Sequence, residues 1–126
     1  MLQLVYDSMT GNVRRFAQAV ALDCGGTELL DLRQQAPARE FLLLTYTFGT
    51  GEVPLSTRKF LQTHGHLLRG VVASGSFHWG HNFARAADLI AAEYRVPVVA
   101  KLNKSGTAKD CQSVSTWLRS MNGTLD

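Results

Sequence analysis

LQLVYDSMTGNVRRFAQAVA, residues 2–21, reads as a strand, a tight loop and a helix in immediate succession. Leu2 to Tyr6 is an apolar run of strand length. Val13, Phe16, Ala17, Val20 and Ala21 recur at the i, i+3, i+4, i+7 spacing of one helix face. Between them the loop Ser8-Met9-Thr10-Gly11-Asn12 carries hydroxyls at 8 and 10, a glycine at 11 and a helix start at 12 or 13. Unpaired N–H groups and the dipole at a helix start favour an anion, and Gly11 permits close approach of the backbone to it. Ser, Thr, Gly and Asn are also what ordinary turns and helix caps use, so the loop alone says only that a phosphate fits there.

Working outward, Phe41 to Tyr46, Gly70 to Ala73 and Val96 to Ala100 are further continuous apolar runs. None alternates polar with apolar, which predicts strands covered on both faces, as in a parallel sheet. Thr27 to Leu32 alternates more and is expected near an edge. Helical spacing returns at Phe83, Ala86, Ala87, Ile90, Ala91 and Tyr94, and again at Cys111, Val114, Trp117, Leu118 and Met121. Thr107 followed by Asp110 resembles a helix-starting capping pair, and Ser56 to His66 is a less regular helix. Five alternations of strand and helix predict a doubly wound α/β sheet with helices on both faces. Ligands in such sheets bind outside the carboxyl ends of the strands, which directs attention to the loops after strands one, three and four.

The 126 residues, 45% of them apolar, are enough for one core and too few for two ordinary domains, so 1–126 reads as a single domain whose residues 122–126 are expected to fray. Met1 leads straight into a strand, and no apolar run approaches the roughly 18 residues of a membrane span. A cytoplasmic protein without membrane contact is expected. A net charge of +3, with its cations scattered at Arg14-Arg15, Arg58-Lys59 and Lys101 to Lys109, predicts a solvated surface and no nucleic-acid partner. Cys24 and Cys111 have neither metal-ligand nor redox spacing and read as idle thiols.

The loop after strand three, Thr45-Tyr46-Thr47-Phe48-Gly49-Thr50-Gly51, sets two glycines beside two aromatic rings, which suits a mobile backbone against a flat ligand. The loop after strand four, Ser74-Gly75-Ser76-Phe77-His78-Trp79-Gly80-His81-Asn82-Phe83, offers aromatics for stacking. Asn82 and Phe83 also fit a plain reading, one capping the next helix and the other entering the core. No metal is expected, because His78 and His81 lack a third ligand at a convincing spacing. His64 and His66 read as surface residues. The absence of a Walker lysine, of a third fingerprint glycine and of a Gly-x-Ser-x-Gly elbow excludes a nucleotide triphosphatase, a dinucleotide binder and a serine hydrolase.

The segments DSMTGNVRRF, LLTYTFGTGEVPLSTRKFL, LRGVVASGSFHWGHNFARAADLIAAEYRVPV and SGTAKD together resemble the NrdI family, flavodoxin-like proteins of class Ib ribonucleotide reductase systems. The sequence departs from the family's common pattern at Ser76 and at Lys101-Leu102-Asn103-Lys104. The resemblance implies a five-stranded parallel sheet of order 2-1-3-4-5 and FMN as cofactor. It places Ser8, Met9, Thr10, Gly11, Asn12 and Val13 around the phosphate. Thr45, Tyr46, Thr47, Phe48, Gly49 and Gly51 border the flavin ring, with Ser74, Gly75, Ser76, Trp79, Asn82 and Phe83 in the third loop. Gly49, in a flexible peptide, is the expected partner of flavin N5. The implied function is activation of the dimanganese-tyrosyl radical cofactor of the reductase small subunit NrdF. Electrons come from a reductase or redoxin, and reduced FMN meets dioxygen to supply a reduced oxygen species. A general flavodoxin electron shuttle and a cofactor-free interaction module are the alternatives.

Overall fold

The computed structural model describes residues 1–125, and strand and helix alternate through them except between the second and third strands, where no helix intervenes, so four alternations form where five were expected. The order is β1 (Gln3–Tyr6), α1 (Asn12–Asp23), β2 (Leu29–Asp31), β3 (Phe41–Tyr46), α2 (Leu55–His64), β4 (Leu68–Gly75), α3 (Arg85–Tyr94), β5 (Val98–Asn103) and α4 (Ala108–Leu125). Short 3-10 turns lie at Gly65–Leu67 and Phe77–Asn82. The strands form one parallel sheet in the order β2-β1-β3-β4-β5, the order implied by the flavodoxin-like resemblance.

Alternate residues of the central strands feed two separate cores, because successive side chains of a strand point to opposite faces. Leu4, Leu42, Leu44 and Val72 pack under Val13, Phe16, Ala17 and Val20 of α1 and under Val114 and Leu118 of α4. Val5, Phe41, Leu43, Val71 and Ala73 pack on the other face, against Phe60 and Leu61 of α2 and Ala86, Ala87 and Ile90 of α3. Both faces of β1 and β3 are therefore apolar without alternation.

β5 departs from that pattern. The expected run Val96 to Ala100 gives way to Val98–Asn103, in which only Leu102 is fully buried and Val98 is 37% exposed. As the outer strand β5 is paired along one edge only, and its residues other than Leu102 stay half-buried or exposed. β4 runs longer than Gly70 to Ala73, since its pairing with β3 continues from Phe41↔Leu68 to Tyr46↔Ser74. α2 stops at His64, and the rest of the expected helix tightens into the 3-10 turn. α3 begins at Arg85 and not at Phe83, capped by Ala84 in a left-handed conformation with φ 49°, so Asn82 is not its cap.

The capping pair ahead of α4 forms in both directions. Thr107 N donates to Asp110 Oδ2 at 2.9 Å, and Asp110 N donates to Thr107 Oγ1 at 3.1 Å. α4 continues to Leu125, and Asp126, the last residue of the end expected to fray, lies outside the described residues. No helix among the described residues is long and apolar enough to cross a membrane.

Leu44 is completely buried between β1, β4 and α1. Leu44→Ala is expected to lower the unfolding free energy by about 2–5 kcal/mol in urea denaturation. A loss below about 1 kcal/mol would show that the α1 and α4 core collapses around the gap.

Candidate functional site

The carboxyl ends of β1, β3 and β4 lie along one edge of the sheet and deliver all three singled-out loops there. In the first, the side chain of Ser8 turns inward. Its Oγ accepts Gly11 N at 3.1 Å and Arg14 N at 3.3 Å, which closes the loop onto the first turn of α1. Gly11 is the N-cap at φ 93°, a left-handed conformation that strains any other residue. A Cβ there would also stand 2.9 Å from Arg15 Nη1, because Arg15 folds back over the loop and donates to Asn12 Oδ1. The first turn of α1 holds no acidic residue, so nothing on the helix offsets the positive end of its dipole.

Beneath this loop lies a feature that sequence reasoning missed. Asp7, the last residue before the loop, has no exposed surface. Its Oδ2 accepts Ser56 Oγ at 2.5 Å and Thr57 Oγ1 at 2.7 Å, while its Oδ1 accepts Arg33 Nε at 2.9 Å and pairs with Arg33 Nη2 at 2.9 Å. Thr57 in turn meets Thr45 Oγ1 at 2.8 Å, and Arg33 Nη2 reaches the Tyr46 hydroxyl at 3.3 Å. The Asp7 charge, ahead of a smaller opposing effect of burial, holds the Arg33 guanidinium above its ordinary pKa. The available signal was a carboxylate ending an otherwise apolar strand. Nothing in the sequence, however, links position 7 to position 33.

Between the three loops opens a cavity of about 250 Å³. Ser8, Met9, Thr10, Asn12 and Val13 line it from the first loop, Tyr46 and Thr47 from the second, and Ser74, Gly75, Ser76 and Trp79 from the third. Lys104, absent from the expected set, completes the lining from the turn after β5, where its N donates to Gly75 O at 2.8 Å. Its position at the carboxyl end of a strand beside the third loop was the signal that could have found it.

Seven expected residues do not line the cavity. Gly11 supports it from behind as the cap of α1. Thr45 is wholly buried on its bond to Thr57. Phe48 and Gly49 are exposed in a turn closed by two bonds of 2.7 Å between the backbones of Phe48 and Glu52. Gly51 is buried away from the cavity, where a Cβ would meet Arg85 Cδ at 3.1 Å and Asn82 Cβ at 3.3 Å. Asn82 therefore buttresses the second loop. Phe83 stacks at 4.7 Å on exposed Phe77 and packs into the α2 and α3 core. Ala86 N donates to Thr47 Oγ1 at 3.3 Å, so the second loop and α3 are joined again there.

His78, His81 and His66 are exposed, whereas His64 is half-buried against the Phe60 ring at 4.8 Å. No group of three or more His, Cys, Asp or Glu among the described residues could hold a metal ion. Cys24 and Cys111 are half-buried free thiols far from the cavity lining, and burial pushes the Cys111 thiol up from its ordinary pKa.

The cavity thus combines hydroxyl side chains, the start of α1, a lysine and the aromatic side chains of Tyr46 and Trp79 in one lining. It suits a phosphorylated ligand with a planar ring. The family described as NrdI Flavodoxin like matches residues 4–116. The chain is 68% identical over 118 residues to Protein NrdI of Deinococcus radiodurans, covering 94% of this chain and 83% of that protein. It is 45% identical over 116 residues to Protein NrdI of Bacillus licheniformis, covering 89% and 83%. Among solved structures, a short-chain flavodoxin associated with a bacterial microcompartment superposes with a TM-score of 0.79 at 19% identity, covering 100% of both chains. Oxidised flavodoxin 1 of Bacillus cereus gives 0.70 at 20% identity, covering 92% of each. These two likenesses concern the fold.

Thr57→Val keeps the shape of the buried threonine but removes its donor to Asp7. It is expected to cost about 1–3 kcal/mol of stability in thermal or urea unfolding. An unchanged midpoint would show that Ser56 and Arg33 suffice for the carboxylate.

Proposed function

This chain belongs to the NrdI flavodoxin-like family, and from that membership we propose that it is an FMN-binding redox protein. Its proposed task is to activate the dimanganese-tyrosyl radical cofactor of the class Ib ribonucleotide reductase small subunit, NrdF. The observation that carries the flavin reading is the three-loop cavity, whose lining combines the hydroxyls of Ser8, Thr10 and Ser76 and the start of α1 with the rings of Tyr46 and Trp79. The residues fit the group. Ser8 and the first-turn amides of α1 would hold the phosphate. Tyr46 and Trp79 would lie against the ring, and the Ser74-Gly75-Ser76 backbone would meet its polar edge. When bound, FMN supplies the electrons that reduce dioxygen.

The chain's own residues hold, shield and orient. Met9, Phe48, Phe77 and Trp79 are 61%, 49%, 67% and 37% exposed on the three loops, apolar surface suited to docking a protein such as NrdF. Gly49 sits at φ 57° in the turn closed by Phe48 and Glu52, beside the Glu52 carboxylate. Its peptide is free to reorient and offer a carbonyl to flavin N5, which gives Gly49 its proposed role. A reductase or redoxin in the cytoplasm would supply the electrons.

Purified protein is expected to be yellow with a flavin absorbance spectrum and, when supplied with a chemical reductant, to generate tyrosyl radical catalytically in manganese-loaded NrdF under dioxygen. A colourless protein that takes up no FMN would overturn the flavin reading. A yellow protein that yields no radical would leave an electron shuttle for another oxidoreductase.

Gly49→Val, which disfavours the positive φ, is expected to shift at least one of the two one-electron potentials of bound FMN in a spectroscopic redox titration. Unchanged potentials would remove Gly49 from the N5 role. With Lys104 on the cavity and a net charge of +3, the wild-type second reduction is expected to be less unfavourable than in an acidic flavodoxin. Very widely separated couples would contradict that charge argument.

A further inference from the structure

The proposed cofactor-binding residues line the cavity but leave unexplained the buried carboxylate that precedes them in the chain. Asp7 is a fully buried carboxylate one residue ahead of Ser8, the residue whose Oγ organises the anion loop. Its field acts against any anion in that loop, and burial leaves little water to screen it. Two of its three side-chain partners, Ser56 and Thr57, are neutral hydroxyls. The third, Arg33, forms the only ion pair of Asp7 among the described residues, with Nε and Nη2 both 2.9 Å from Oδ1.

Arg33 also reaches the cavity wall. The Arg33 side chain is 45% exposed, and Nη2 is 3.3 Å from the hydroxyl of Tyr46, a lining residue. The guanidinium thus bonds both a buried negative charge and a residue of the cavity lining. A phosphate monoester is close to doubly charged at neutral pH, so it is the ligand most sensitive to whether Asp7 is neutralised. The sugar alcohol and ring of an uncharged analogue are nearly indifferent to it.

We propose that Arg33 is a specificity-determining residue of this site: by neutralising Asp7 it permits a phosphate dianion in the Ser8 to Asn12 loop and sets the preference for FMN over riboflavin. The inference rests on the flavin reading and extends it from the residues that touch the ligand to one that acts through its charge. It assigns the Asp7–Arg33 pair a function besides stability, namely making a buried acid compatible with an anion site. Charge and shape are separable here, because Asp7→Asn removes the negative charge with little change of volume.

The test compares dissociation constants of FMN and riboflavin, by flavin fluorescence quenching, for wild type, Arg33→Lys, Arg33→Met and the double variant Asp7→Asn/Arg33→Met. Circular dichroism of each apo protein confirms folding, and riboflavin affinity reports an intact ring pocket. Arg33→Met is expected to weaken FMN about tenfold while changing riboflavin little. Arg33→Lys should keep most of the discrimination. Asp7→Asn/Arg33→Met should recover it, because both charges are gone.

Equal weakening of FMN and riboflavin by Arg33→Met, or no recovery in the double variant, would overturn the inference and leave Arg33 a prop for Tyr46. Should wild type bind neither flavin, the flavin reading fails by itself. The Arg33 inference is then decided by inorganic phosphate, titrated against the Gly11 and Asn12 amide resonances. Phosphate affinity that falls in Arg33→Met and returns in the double variant supports it, and affinity indifferent to both changes overturns it.

Discussion

A carboxylate with no exposed surface terminates β1, and three other parts of the molecule are built around satisfying it. Asp7 draws in the start of α2 through Ser56 and Thr57, the segment after β2 through Arg33, and β3 at one remove through the Thr57 to Thr45 bond. A buried carboxylate left without partners is among the most costly features a fold can contain, so these groups cannot drift independently. Their convergence holds the carboxyl ends of β1 and β3 in register at the edge where the cavity opens.

The two cores explain why that edge is available for function. With α1 and α4 covering one face of the sheet and α2 and α3 the other, apolar side chains fill the space against both faces. The connections leaving the carboxyl ends are the places where backbone donors remain uncommitted to the ladder. Parallel pairing brings three of them together, since β1, β3 and β4 are adjacent and all run the same way.

Within that edge the loops are not independent walls. Gly51 lies so close to Asn82 and Arg85 that a side chain there would displace them, and Thr47 accepts the amide of Ala86. Residues that look like ligand contacts on sequence grounds, Gly51, Asn82 and Phe83, instead brace the second loop, the third loop and α3 against one another. Bracing of this kind limits where the exposed turn at Gly49 can move.

The local sequence determined most of the strands and helices and the position of the Ser8 to Asn12 loop between β1 and α1, because each rests on a periodicity or a turn chemistry contained within a few residues. Val13 to Ala21 can face one core only as a helix, and Ser8 to Asn12 can carry free donors only by preceding it. The resemblance of four longer segments added the family, the strand order and most of the cavity lining. The edge exposure of β5, the late start of α3, the inclusion of Lys104 and the pairing of Asp7 with Arg33 were decided by tertiary structure. Each depends on which neighbour a residue meets across the sheet or between loops. Periodicity says which face a side chain occupies but not what is waiting there, so a carboxylate at position 7 acquires its meaning only when folding brings residues 33, 56 and 57 around it.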